Sequence, residues 1–587
     1  MDDTGWEHKA QAPSGGMNRA WARALGNIAP LASQKHLTLP VLLDELAGRF
    51  ATRIAIEASD HSLTYQALAG RKNQYARWAL DQGLRSSEHV CLFMNNCPDY
   101  VAIWLGLTQI GLVVALINTH LEGGALLQAL ACTRARHVVA DQQCQRQLEA
   151  VRNDLAAGMT IWSHGAAANA APGGNVLDLD RYAGSVLEDS GAMQVASGDT
   201  ALLIFTSGTT GLPKAAVLSH YRILEWSFWF AGMMDASTSD RLYICLPLYH
   251  STGGVAALGA MLVAGGTVVL RDHFSATRFW PDIAAARCTI FLYIGELCRY
   301  LLHAPQHHDD VRHNLRLCCG NGLQEDVWNR FTERFRIPHI LEFYAATEGN
   351  VALYNYDGPP GALGRVPAYL AHRFPLALLA CDPQTGEPRR NADGHFLRCA
   401  QDEPGEAIGR IAASGMGRPG AFEGYSDEAA TARKILHDVF TPGDAWFRTG
   451  DLMRKDRAGY YYFVDRMGDT FRWKGENVST AQVAEAIGGC RGVTGVAVYG
   501  VAIPGADGRA GMAAITTDEH FSPSHLYAYL QHRLPAYARP KYLRLCGQLQ
   551  TTATFKPIKA TLAREGIGAN PSGDAVLVED PVGATYS

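Results

Sequence analysis

Ala201-Leu202-Leu203-Ile204-Phe205 empties into Thr206-Ser207-Gly208-Thr209-Thr210-Gly211-Leu212-Pro213-Lys214, after which Ala215 to Leu218 reads extended again. The pattern is strand, loop, strand. Gly208 and Gly211 allow a ligand to approach the backbone, three threonines and a serine offer hydroxyl donors, and Lys214 adds a cation, a set suited to wrapping a polyphosphate. Read alone, the segment stays open to being a flexible Ser/Thr/Gly connection. It is not a Walker loop, and the chain has no G-x-S-x-G elbow.

Outward from this hairpin, helical and extended segments alternate. Tyr65 to Leu80 carries helical periodicity and His89 to Met94 reads extended. Two apolar stretches, Val101 to Asn118 and Gly253 to Leu270, come near the roughly 20 residues of a membrane span. Each is interrupted by glycine (Gly111; Gly265 and Gly266) and finishes in a β-branched run, so each reads as a buried helix followed by a buried strand. The rhythm predicts an α/β fold: a large N-terminal body of mostly parallel sheets flanked by helices. After about Asp465 the pattern changes to the strands Val493 to Val501 and Gly511 to Thr516, then a helix capped by Ser522 with Pro523 in its first turn. This predicts a small C-terminal α+β domain appended to the body.

Composition narrows the partners. With 52 Lys and Arg against 57 Asp and Glu, the net charge of −5 argues against nucleic acid. The 13 cysteines include no Cys-x-x-Cys pair, and Met1 to Gly16 is polar with no secretory pattern, so a cytoplasmic location is expected. Met17, Trp21, Leu25 and Ile28 form a helical stripe beside Arg19 and Arg23, which raises two expectations: a peripheral contact with the inner face of a membrane, or a helix docked on the main body. Gly415, Gly417 and Gly420 spell a dinucleotide fingerprint, but Pro419 interrupts it and no amphipathic helix follows. His303, His307, His308, Asp309, Asp310 and His313 look like metal ligands, yet Pro305 breaks their register, and a solvated helix end is expected.

Five further strings follow the loop in order: Pro247-Leu248-Tyr249-His250, Glu342-Phe343-Tyr344-Ala345-Ala346-Thr347-Glu348, Arg448-Thr449-Gly450-Asp451, the segment from Asp465 to Asn477, and Thr554-Phe555-Lys556. With the loop, they resemble the adenylate-forming superfamily of acyl-CoA synthetases, nonribosomal-peptide adenylation domains and luciferases. Tyr293 to Tyr300, the Asp465 to Asn477 string and the Thr-Phe-Lys ending are similar to the fatty-acid transport protein and very-long-chain acyl-CoA synthetase branch. Singly, Arg299 is open to being a solvated helix charge, and Tyr293 and Tyr300 to being core.

The resemblance implies roles. Thr206, Ser207, Gly208, Thr209, Thr210, Gly211 and Lys214 would hold phosphates, and His250 would stand beside the carboxylate. Tyr344 would pack on adenine, Thr347 contact the α-phosphate and Glu348 ligate Mg²⁺. Asp451 and Arg466 would hold the ribose, and Lys556 would be the catalytic lysine, with Lys559 its nearest rival. Three departures stand out: Ala345 where Gly is common, Gly468 at the hinge where Asp or Lys is frequent, and Phe555 in place of Gly before the lysine.

The implied division is a polar lead (1–35), a large adenylation domain (36–466) and a lid (467–587) hinged near Gly468. The implied reaction joins a long- or very-long-chain fatty acid to ATP, giving acyl-AMP and pyrophosphate, and then passes the acyl group to CoA. The alternatives are a ligase for another lipophilic carboxylate or a carrier-protein thiol, and a fatty-acid transport or binding protein. Oligomeric state is not legible.

Overall fold

The computed structural model describes residues 16–165, 175–187, 195–207, 213–382, 386–412, 421–473, 476–503, 508–552, 555–568 and 573–587. Two large sheets form the body. One has eight strands in the order Ala352–Asn355, Ile340–Ala345, Leu317–Asn321, Ile290–Ile294, Arg241–Ile244, Thr267–Leu270, Ile54–Glu57, Ser62–Thr64, parallel except at both edges. The other has seven and ends in the antiparallel hairpin of Thr200–Ser207 and Pro213–Ser219. Both apolar stretches fold as expected. Pro98–Gln109 is a buried helix followed by the buried strand Val113–Leu116, and Leu258–Ala264 is followed by Thr267–Leu270. Gly265 ends that second helix at φ +71°, where the Phe50 ring would collide with any Cβ.

Side-chain caps set where the helices start. Thr64 accepts from the Ala67 amide to open Tyr65–Asp81, Ser219 from Arg222 to open His220–Met234, and Ser522 from His525 to open Pro523–Arg533. Among the described residues no helix is long and apolar enough to cross a membrane.

The structure refines four sequence expectations. The body's two large sheets are mostly parallel, as expected, and beside them Leu376–Ala380, Gly405–Arg410, Ala445–Lys455, Ile435–His437 and Tyr461–Arg466 form an antiparallel five-stranded sheet, whose short hairpin-linked strands lack the helical spacers that mark parallel ones. Of the two expectations for the Met17–Ile28 stripe, a helix docked on the main body is the one the structure bears out. Trp21 is fully buried, edge-on to Trp229, Tyr354 and Phe374 at 5.2, 5.7 and 5.0 Å. Arg299 is no solvated charge, being buried against Glu296 (3.3 Å) and Gln324 (2.6 Å). The histidine run is only partly a solvated end: His307 and His308 are exposed, but His313 is buried on Trp280 and Asp310 is buried against Arg334.

The C-terminal sheet orders Val493–Ala502, Arg509–Thr517, Tyr542–Leu545, Ala575–Asp580 and Thr585–Tyr586. Residues from Phe471 to Tyr586 close a hydrophobic core of their own, apart from the core of the body.

Candidate active site

The hairpin opens the site. Thr206 and Lys214 are cross-strand partners, and beyond them Gly208, Thr209, Thr210 and Gly211 lie outside the described residues, as does the Ser207 side chain. The Pro213–Ser219 strand is bridged to the segment around Tyr425, with Val217 N–H donating to the Gly424 carbonyl at 3.0 Å. Tyr425 therefore stands between the two sides of the cleft. Its hydroxyl donates to Glu348 Oε1 at 2.7 Å, the Thr206 hydroxyl lies beside it, and Lys214 Nζ sits 5.7 Å from its ring centroid. One residue before Glu348, the Thr347 hydroxyl is 2.9 Å from Ser251 Oγ.

A second cluster gathers on the antiparallel sheet. Asp451 and Arg466 are paired across two strands, Arg466 Nε donates to Asp451 Oδ1 at 3.1 Å, and the Tyr344 hydroxyl donates to Oδ2 at 2.6 Å. The neighbouring Arg448 forks onto the buried Glu406 at 2.7 to 3.1 Å, which fixes the strand that carries Asp451. Lys434 is held to the Thr449 carbonyl at 3.2 Å in the field of Glu348, Glu406 and Asp451, while burial pulls its pKa down. Tyr425, Lys434 and Ser251 belong to no string recognised in the sequence. A lone tyrosine or lysine in a strand or loop gives no periodic signal.

Lys556 enters from the C-terminal side. Its loop is closed by Thr552 N–H to the Lys556 carbonyl and Phe555 N–H to the Thr552 carbonyl, both at 2.8 Å. Phe555 is left-handed at φ +56° and places its ring against Phe274 (6.0 Å) and Tyr300 (5.6 Å) of the body. The Lys556 amine is open to the cleft yet enclosed by protein. The desolvation this brings, then Arg466, lower its pKa, and Asp451 opposes them. His250 is half-buried, with Nε2 buried and unbonded, and desolvation, aided by Lys556 and His120, lowers it to about 4. Lys559 instead binds Asp469 (3.1 Å) and Thr480 (2.7 Å) within its own domain.

A cavity of about 610 Å³ leads inward from Ser251 and Thr347. Its walls are Trp226, Trp229 and Phe230 of the His220–Met234 helix, Phe343 and Ala345 of one strand, Tyr354 of the next, and Phe374. The strand Ile340–Ala345 divides the cleft: Phe343 and Ala345 line the cavity, while Tyr344 between them reaches Asp451. Glu342 is buried, accepts from the Tyr293 hydroxyl and the Gly322 amide, both at 2.5 Å, and is pushed by burial to about 8. Tyr293 is thus core, whereas Tyr300 is half-buried at the interface.

Comparison with known proteins follows the same outline. Residues 43–417 match the AMP-binding enzyme family and residues 482–556 the AMP-binding enzyme C-terminal domain. The chain is 38% identical to long-chain fatty acid transport protein 1 of Mus musculus over 92% of this chain and 84% of that protein. It is 37% identical to the medium/long-chain-fatty-acid–CoA ligase FadD6 of Mycobacterium tuberculosis, over 93% and 87%. Among solved structures, the anthranilate CoA ligase AuaEII in complex with anthranoyl-AMP superposes with a TM-score of 0.75 at 21% identity, covering 90% of this chain and 96% of that one. ATP-bound MatB from Rhodopseudomonas palustris gives 0.72 at 22%, covering 90% and 99%. With a family match over most of its length and relatives aligned along more than nine-tenths of it, this chain belongs to the AMP-binding enzyme family.

Proposed function

We propose that this chain is an AMP-forming long-chain fatty-acid–CoA ligase, using ATP, Mg²⁺ and CoA. The observation that carries the reading is the meeting of three things at one point: the Tyr344–Asp451–Arg466 cluster, the Thr206–Lys214–Tyr425–Glu348 cluster, and the mouth of a largely apolar cavity, with Lys556 facing them. A nucleotide and a lipophilic acid would be held there side by side.

In the first step a carboxylate oxygen bonds to the α-phosphorus of ATP and the bond to pyrophosphate breaks. In the second the CoA sulfur bonds to the acyl carbon, the bond to AMP oxygen breaks, and the thiol proton leaves to solvent. Asp451, its oxygens already aimed by Tyr344 and Arg466, accepts from the ribose hydroxyls, and Tyr344 flanks the base. Lys214 and Lys556 oppose charge building on the phosphates, where prepaid orientation counts most. Thr347, fixed by Ser251, donates toward the α-phosphate. His250, neutral near pH 7, offers Nε2 to the carboxylate without adding a second charge beside Lys556.

Glu348 fits a Mg²⁺ role, since it gives one hard oxygen already steered by Tyr425, and this ion is usually bound by one or two carboxylates plus phosphate oxygens. When bound, the ion neutralises charge on the leaving pyrophosphate. The small domain turns about Gly468, at φ +90° with open space where a Cβ would sit, and exchanges the lysine for a face that admits the thiol. The location we propose is cytoplasmic. The membrane contact expected of the N-terminal stripe loses its motive, because protein covers that face.

ATP–pyrophosphate exchange with a panel of fatty acids, followed by CoA against carrier-protein acceptors, tests the proposal. Acid-dependent exchange and CoA-dependent AMP release are expected. Acid binding without exchange would favour the transport or binding reading instead.

A further inference from the structure

Arg299 has no part in either step of the proposed reaction, yet it is buried at the seam between the body and the small domain. It stands on the helix Gly295–His303, one residue before Tyr300, whose ring meets Phe555. Glu296, 3.3 Å from Nε, and Gln324, which accepts from Nη2 at 2.6 Å, aim the guanidinium across the seam. There it meets Gly488, the last residue of the helix Thr480–Gly488, which packs into the small domain's own core through Val483 and Ile487. A Cβ built on Gly488 would lie 2.1 Å from Nη1 and 3.3 Å from Cζ. The guanidinium therefore rests on the bare backbone of a helix C-terminus, the end whose partial negative charge favours a cation.

The charges around this contact make it more than packing. Glu485 lies on the same helix, three residues before Gly488 and so on the same side of it. Burial raises the Glu485 pKa, Glu325 and Asp326 of the body add to the rise, and Arg299 and Arg533 oppose it. Arg533 belongs to the small domain, so Arg299 is the cation that the body sets against Glu485. Without it the seam would bring like charges together. Building on the ligase reading, we infer that Arg299 is a positioning residue for adenylation, holding the small domain in the pose that brings Lys556 to the phosphates, with Gly488 as its socket. Tyr300 braces the lysine loop through Phe555, and Arg299, from the same helix, holds the domain that carries the loop. The turn about Gly468 parts Arg299 from Gly488, so the thiol step does not need the contact.

The test separates the two half-reactions in the full chain, with hexadecanoic acid as substrate. Arg299→Ala should slow acid-dependent ATP–pyrophosphate exchange by on the order of tenfold, the scale of losing a buried charged contact, and through kcat rather than the KM for ATP or acid. Thioester formation from supplied acyl adenylate should stay within about twofold of wild type. Arg299→Lys, which keeps the charge but not the fork, should recover part of the loss. Gly488→Ala probes the same contact from the other side, in a change that helix propensity favours, so the result stays readable if Arg299→Ala folds poorly. Its methyl group would collide with the guanidinium, so it should slow exchange in the wild-type background and change it little in the Arg299→Ala background. The inference is overturned if Arg299→Ala exchanges within about twofold of wild type, if both half-reactions slow equally, or if Gly488→Ala acts equally in both backgrounds. In each of these cases acid-dependent exchange by the wild type leaves the ligase reading standing. If the wild type shows no such exchange, the ligase reading falls and the inference with it.

Discussion

The nucleotide side and the acyl side of the cleft are built on opposite plans. On the nucleotide side polar groups are paired before any ligand arrives: Asp451 has Tyr344 and Arg466, Glu348 has Tyr425, and Thr347 has Ser251. On the acyl side the wall is largely apolar, with aromatic rings from Trp226, Trp229, Phe230, Phe343 and Phe374, and polar liners such as Arg222 and Asp444 are tied to protein partners. On the proposed reading, the contrast means that ATP would be met by preorganised charge and hydrogen bonds and the acid chiefly by shape.

The largest expected effect bears on whether the acyl side depends on the N-terminal helix. Trp21→Ala removes a fully buried indole that contacts three cavity residues, Trp229, Tyr354 and Phe374. It should cost about 3 to 5 kcal/mol in denaturant unfolding. At temperatures where the protein stays folded, KM for the acid should rise more than KM for ATP, and an equal rise in both would dissolve the contrast. Next, Lys556→Ala should lose roughly 3 to 4 kcal/mol of transition-state stabilisation in pyrophosphate exchange, about 10²- to 10³-fold. Thioester formation from supplied acyl adenylate should be largely kept. Lys559→Ala should lose little, as it breaks a partly exposed pair with Asp469 worth at most about 1 kcal/mol. A crippled thiol step with normal exchange would reverse the role given to Lys556.

Glu348→Gln removes a hard anionic ligand while keeping the acceptor for Tyr425. Mg²⁺-ATP binding should weaken by on the order of tenfold while acid binding holds. Loss of both in direct titration would make Glu348 a structural residue of the whole cleft. Phe555→Gly relieves a left-handed backbone that costs about 1 to 3 kcal/mol and removes the ring packed on Phe274 and Tyr300. Stability should change little, because the two effects oppose one another. Exchange should nonetheless slow, as the lysine loses its brace, while the thiol step holds. The smallest effect is a null. With His250 near 4, ionisation of this group should draw no limb in the pH–rate profile between pH 6 and 8, and a limb there that vanishes in His250→Ala would show it protonating during turnover.

How much could be read in advance follows from the same contrast. Nucleotide residues sit in short contiguous strings, because each string is one strand or turn that delivers several groups to one ligand. The strings that bring Tyr344, Thr347, Glu348, Asp451 and Arg466 to one cleft were therefore legible, and the roles proposed for them rest on the resemblance. The acyl wall is assembled from several stretches far apart in sequence between Ile28 and Ala445, none of which carries its own pattern for the cavity. The N-terminal stripe shows a different limit. Its 3.6-residue period correctly foretold a helix over Met17–Ile28, but a period reveals only that a face is covered, not whether lipid or protein covers it. The antiparallel sheet escaped for want of spacing cues, and Glu406 with it, since its partner Arg448 lies 42 residues away.

The strand Ile340–Ala345 has a consequence for how such an enzyme diversifies. Because successive side chains point to opposite sides of a strand, Tyr344 turns to Asp451 and, on the proposed reading, to the nucleotide, while Phe343 and Ala345 turn to the cavity that would take the acid. Mutation at the odd-numbered positions can explore new acids generation after generation while the even-numbered neighbour keeps faith with ATP. A six-residue segment thus lets one lineage inherit its energy source unchanged and renegotiate its diet.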